Sequence, residues 1–196
     1  MSKRRLVIED YDTAWPDAFR KVARRVREVF GQRALRIDHI GSTSVPGLGA
    51  KNIIDLQVTV ADLDFINEEF TSLLREHGFI MDRPNVRDHV PAGRPADPAL
   101  WVKKYADAVS EGRVVHVHIR IDGRPNQRYP LLFRDYLRAS PQAAASYDLI
   151  KRELAARHSE DVDAYYAVKD PVCDLIIDAA EEWAKRTRWS LGPSDA

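Results

Sequence analysis

Apolar residues recur along this chain at two distinct periods. Trp15, Phe19, Val22, Val26 and Val29 follow helical spacing, with Thr13 as a candidate cap and Pro16 in the first turn. Leu63, Ile66, Phe70, Leu73 and Leu74 mark a second amphipathic helix that stops near Gly78. Before and between them lie segments of strand type: a short one at Leu6–Ile8, one from Leu35 to Ile40, and the strongest from Ile53 to Val60. Leu100–Tyr105 and Arg113–Ile121 read as two further strands, paired across a turn at Glu111–Gly112. Residues 82–98 hold four prolines among charges and read as a long loop, a hairpin connection or a flap.

From Pro130 onward the pattern is helical. Helices are predicted over Leu131–Ala139, Pro141–His158 and Pro171–Arg188, the last with Asp170 as its cap. The tail, 190–196, is expected to fray. Strands come first and helices later, with one helix inserted early, so the fold class is α+β with a mixed sheet, in a single domain over residues 1–189.

Composition narrows the function classes. Lys plus Arg and Asp plus Glu each number 30, so nothing global attracts nucleic acid or an anionic membrane. Arg20, Lys21, Arg24, Arg25 and Arg27 read as a solvated helix face. No apolar run approaches the roughly 20 residues of a membrane-spanning helix. The one cysteine, Cys173, sits in an apolar helical stretch and reads as a small buried hydrophobe, which suits a reducing cytosol. A cytoplasmic location is therefore expected, and a homodimer stays open.

Candidate chemistry concentrates in one loop and two strands. In Gly41-Ser42-Thr43-Ser44 a glycine allows close backbone approach, and three hydroxyls in a row can donate to phosphate oxygens or can satisfy their own loop. No Walker-type Gly-Lys-Ser/Thr ending follows. On the next strand Ile54, Leu56, Val58 and Val60 share an apolar face, while Asp55, Gln57 and Thr59 share the other with Ile53. A carboxylate in the middle of such a strand needs a cation, a metal or several donors. Lys51 lies close enough in sequence to serve it or a bound phosphate. Val114–Ile121 repeats the alternation, with His116, His118 and Arg120 on the polar face. If the strands share a sheet, these side chains meet Asp55 and Gln57, and His39 joins them. Such a set can bind a transition metal or a phosphate without metal.

The run His39–Leu48 closely resembles the signature of the GrpB family. So do Ala50-Lys51, Ile53–Leu56, His116-Val117-His118, Phe133–Arg138, the Tyr147–Leu154 helix, and Tyr166 with Lys169. The resemblance covers about Ile8 to Trp183. It implies a nucleotidyltransferase-like mixed sheet flanked by helices, with a helical C-terminal part. It also implies a domain that occurs fused to some bacterial dephospho-CoA kinases. In active nucleotidyltransferases a Gly-Ser pair cradles phosphates, and two carboxylates at i, i+2 with a third on a later strand hold two Mg²⁺ ions. Gly41-Ser42 matches the pair and Asp55 the first, catalytic carboxylate, but Gln57 stands where the second belongs. The resemblance also raises Arg134 and Lys169 as phosphate ligands. Three readings follow: a domain that binds a nucleotide or CoA-like phosphate ligand with altered or lost catalysis; an active nucleotidyltransferase whose one carboxylate and histidines hold Mg²⁺ or Mn²⁺; or an assembly module for a kinase such as dephospho-CoA kinase. The missing second acid favours the first and third.

Overall fold

A computed structural model describes residues 5–83 and 86–196. Five strands form one mixed sheet: β1 (Arg36–Ile40), β2 (Ile53–Val60), β3 (Phe79–Ile80), β4 (Lys103–Ser110) and β5 (Arg113–Ile121), in the order β1-β2-β5-β4-β3. β2 and β5 run parallel, and every other pairing is antiparallel. The helices are α1 (Trp15–Phe30), α2 (Glu68–Glu76), α3 (Pro125–Ala139), α4 (Pro141–Arg157) and α5 (Val162–Thr187). The α+β class and the helical C-terminal part are as the sequence indicates.

The two faces of the sheet separate by residue type. Ile54, Leu56, Val58 and Val60 of β2, with Val115, Val117 and Ile119 of β5, pack on Val22, Val26 and Phe30 of α1 and on Phe70 and Leu74 of α2. Burying such side chains is the main driving term, each contributing about 1.5–3 kcal/mol. The polar face turns toward the C-terminal helices. Gln57 Nε2 donates to the Gln127 carbonyl at 3.0 Å, and Gln127 Nε2 donates to Thr59 Oγ1 at 3.3 Å, so α3 is hydrogen-bonded onto the middle of that face.

Several boundaries differ from expectation, and proline accounts for the main ones. α3 begins at Pro125 and carries Pro130 inside it, and α5 begins at Val162 and carries Pro171 inside it. Asp161, not Asp170, caps α5 by accepting from the Ala164 N–H. Reading each internal proline as a start shortened both helices. Asp97 likewise caps a single 3₁₀ turn over Pro98–Trp101, which delays β4 to Lys103. Leu6–Ile8 is not a strand, and only Glu9 bridges to Ala50. Thr13 does not cap α1; the Ala14 N–H is taken by Asp12 Oδ1 instead. The 190–196 segment, expected to fray, lies along β1: Ser194 bonds both the N–H and the carbonyl of Ile37, and Asp195 accepts from the His39 N–H.

Candidate functional site

The register brings the sequence candidates together. Asp55 pairs with His116, Gln57 with His118, and Thr59 with Arg120, so all six lie on the polar face. β4 adds a further column, in which Asp107 pairs with His116, Tyr105 with His118 and Lys103 with Arg120. Asp55 Oδ1 lies 3.1 Å from His116 Nδ1 and 3.7 Å from His118 Nε2. Burial alone would push the Asp55 pKa up, but hydrogen bonds from the two imidazoles outweigh it and hold the carboxyl well below the usual carboxylate range. His118 is pushed down to about 4 by burial and by the Arg120 charge, so it is neutral at pH 7.

These groups floor a cavity of about 340 Å³ that lies under α3, α4 and α5. The loop at Gly41–Thr43 forms one wall, and Lys51, Lys151 and Lys169 enter from three separate elements. Among the described residues Asp55 is the single carboxylate lining it. Tyr129, Tyr147, Tyr165 and Tyr166 supply aromatic walls. Lys51 Nζ donates to Tyr166 Oη at 2.6 Å and lies 4.7 Å from the centre of that ring, and Lys151 donates to the Gly49 carbonyl. A neighbouring cavity of about 240 Å³ shares Tyr129, Pro130, Lys169 and Cys173 and continues toward Asp88, Trp101, Arg120 and Asn126.

The loop is built from its own side chains. Thr43 Oγ1 donates to the Ile53 carbonyl and meets His39 Nε2, and Ser44 Oγ donates to the Gly41 carbonyl at 2.6 Å. Arg138 donates to the Ser44 carbonyl from Nε and Nη2, clamping the loop against α3. Ser44 is buried, Thr43 is engaged, and Ser42 is the half-buried hydroxyl that lines the cavity.

Besides Ser44, four sequence candidates take other places. His39 is on the opposite face: it pairs with Leu56, stacks on Phe19 at 4.7 Å, and is driven down to about 3 by burial. Strand alternation, not proximity to the loop, decides its side. Arg134 donates to the His39 carbonyl and to Asp195, which ties α3 and the tail to β1 and leaves it outside the cavity lining. Gln57 is fully buried, accepts from Arg120 and donates to α3. Arg120 reaches only the smaller cavity and grips Asp88 through Nε and Nη2 at 2.7 and 2.9 Å.

Sequence reading missed Asp88, Asp107, Tyr129 and Tyr165. Asp107 was visible in the alternation Lys103, Tyr105, Asp107 once β4 was placed. Asp88 carried no local signal; its trace was the need of Arg120 and Lys103 for a partner on a buried face.

A family model described as GrpB protein matches residues 5–179. The chain belongs to the GrpB family. A dephospho-CoA kinase of Mycolicibacterium paratuberculosis is 39% identical to it over 189 residues, which is 91% of this chain and 46% of that protein. The UPF0157 protein YqkA of Bacillus subtilis is 34% identical over 194 residues, 99% of this chain and 51% of that one. The chain thus spans about half the length of these relatives. The crystal structure of the conserved GrpB protein from Enterococcus faecalis matches 90% of this chain and 99% of its own, with a TM-score of 0.73 and 28% identity.

The paired-carboxylate Mg²⁺ arrangement implied by the sequence resemblance does not fit this GrpB-family site. Gln57 fills the second acid position, and both ends of its amide are already bonded. Asp107, one nearby acid, stands beyond His116 and is held by Tyr105 and Arg83, and Asp38, which pairs with Gln57, is held by Arg36. A single carboxylate at Asp55 supplies too few oxygen ligands to hold two hard dications.

Proposed function

We propose that this GrpB-family domain binds the phosphate end of a small ligand, a nucleotide or a CoA-like phosphate ester, in the cavity between the Gly41–Ser42 loop and α3–α5, with two-metal nucleotidyl transfer altered or lost. The carrying observation is the convergence of Lys51, Lys151 and Lys169 on one cavity that a single carboxylate lines among the described residues. Lys169 and Arg152 oppose the charge on Lys151 until an anion enters, and charge-assisted hydrogen bonds to phosphate oxygens are the strong kind. Ser42 adds a hydroxyl donor at the mouth of the loop.

Calorimetric titration of ATP, CTP, CoA and inorganic tripolyphosphate, each with and without Mg²⁺, tests the reading. Micromolar to millimolar affinity is expected. Lys169→Ala should weaken it by roughly tenfold or more, on the scale of about 1.5–3 kcal/mol for a charged hydrogen bond. Ser42→Ala should weaken it severalfold, and Asp55→Asn should leave metal-free binding in place. Absence of binding by all four ligands would remove this reading. It would leave the second one, an assembly module for a kinase, which the match to about half of a dephospho-CoA kinase favours.

The pH dependence follows from Lys151. Burial pushes its amine down to about 7, with Asp148 opposing and Lys169 and Arg152 adding to the depression. A bound phosphate restores the charged form, so binding takes up a proton above that pH. Phosphate monoesters are already doubly ionised there. Affinity should therefore fall as pH rises from 7 to 9, by up to about tenfold per unit. Lys151→Met should weaken binding and flatten the profile, read as proton uptake in buffers of different ionisation heat. Without ligand the sign reverses. The unfolded chain holds an extra proton between pH 7 and 10.5, so the free fold gains stability as pH rises through that window.

A further inference from the structure

The side chains that stand in place of paired carboxylates have a coordination chemistry of their own. One ligand atom each from Asp55, His116 and His118 lie within 4.8 Å of one another, and all three side chains line the larger cavity. Each is fixed on a hydrogen-bonded strand, with Asp55 and His116 directly paired and His118 next on the same face. His116 Nδ1 faces Asp55 at 3.1 Å, and its Nε2 lies 3.7 Å from Asp107 Oδ1. If Nδ1 takes a cation, the proton moves to Nε2 and points at that carboxylate. A carboxylate behind the imidazole in this way orients the ring and raises its basicity toward a metal.

The geometry points to Asp55, His116 and His118 as the protein ligands of one borderline transition-metal dication such as Co²⁺ or Zn²⁺, with its remaining positions open to the cavity. Two imidazoles with one carboxylate suit such ions, whereas Mg²⁺ prefers oxygen donors and keeps its waters. His118 is the weakest of the three. Its Nδ1 lies 3.3 Å from Arg120 Nη2, which favours the proton on Nε2, the atom that would have to bind. Ligation there moves the proton to Nδ1 and ends that contact, while Arg120 keeps Asp88 and Gln57. The inference stands apart from the phosphate reading, because the probe is the metal alone.

The test is Co²⁺ titration of the intact chain, read by its visible absorption and followed by competition. Expected are one Co²⁺ per chain with nitrogen ligation, displacement by Zn²⁺, and no displacement by a hundredfold excess of Mg²⁺. His116→Ala and Asp55→Asn should each remove the spectrum, and His118→Ala should weaken binding less. Asp107→Asn, which touches no metal, should weaken it about tenfold and leave the spectrum in place at saturation. Circular dichroism confirms that each variant is folded, and the Mg²⁺ competition needs no variant. No saturable spectrum, equal competition by Mg²⁺, or a spectrum that survives in folded His116→Ala would each overturn the assignment.

Discussion

Arg120→Ala is expected to destabilise the fold by about 3–5 kcal/mol, the range for removing one partner of a buried, hydrogen-bonded ion pair. The guanidinium is buried and carries three jobs at once. Nε and Nη2 hold both oxygens of Asp88, Nη1 donates to Gln57 Oε1 at 2.7 Å, and Nη2 meets His118 Nδ1. Asp88 reaches this point from the 82–102 connection and is also gripped by Lys103 at 2.6 Å and by Asn126 Nδ2 at 3.1 Å. Without Arg120 the carboxylate keeps one cation in place of two, and a buried amide oxygen on Gln57 loses its donor. Burial pushes the Asp88 pKa up, but Arg120 and then Lys103 reverse this and hold it well below the usual range. The variant should therefore lose more stability at neutral pH than at pH 3, where Asp88 takes up a proton in the unfolded chain while it stays ionised in the fold, so that part of its contribution is already gone. Urea unfolding at pH 7 and pH 3 reads the difference. A loss under 1 kcal/mol at pH 7 would mean that this network does not anchor the loop to the sheet.

Arg120 marks a limit of strand alternation as a guide to function. On a polar strand face beside two histidines, a phosphate ligand and a structural cation look identical, because alternation says which face a residue takes and not what waits across from it. The partner, Asp88, is 32 residues away in a loop without periodicity. Arg134 shows the same limit: its motif was recognisable, but its partners are a main-chain carbonyl on β1 and Asp195.

Where the governing physics is local, the sequence was informative. The period-two alternation of β2 and β5 is enough to separate the apolar core from the polar face and to place Asp55, His116 and His118 together, since parallel pairing needs only the two strands to be neighbours. His39 failed for want of one parity count along β1. Lys151, Tyr165 and Tyr166 enter the cavity through the packing of α4 and α5 over the sheet, and helical packing of that kind leaves no mark at fixed spacing in one sequence. The two internal prolines compounded this by hiding the first turns of α3 and α5, the parts that carry Tyr129, Tyr165 and Tyr166.

Gly41→Ala is the companion test, because it probes the seat of the loop rather than the far side of the sheet. Gly41 has φ +71° and ψ −177°, a region open essentially to glycine alone, and a non-glycine residue held there costs of order 1–3 kcal/mol. A Cβ at this position would also come within 2.5 Å of Asp55 Oδ2 and 3.0 Å of Asp55 Cβ. Such overpacking adds typically 1–3 kcal/mol. The variant is thus expected to lose about 2–6 kcal/mol in denaturant unfolding, a large share of the stability of a domain this size. The two contributions are separable. In an Asp55→Ala background the Oδ2 contact is gone while the dihedral cost and the Cβ contact stay, so Gly41→Ala should cost less there by up to about 3 kcal/mol, the share of the steric cost that Oδ2 causes. Equal costs in both backgrounds would show that the loop shifts away from Asp55 freely, and that its backbone is not held on the carboxylate. A reduced cost in the Asp55→Ala background means that loop and strand fix one another: the glycine exists to let Ser42 reach the cavity with the Asp55 carboxylate directly beneath it. Any ligand contacting that hydroxyl is then set at short range from the Asp55, His116 and His118 floor.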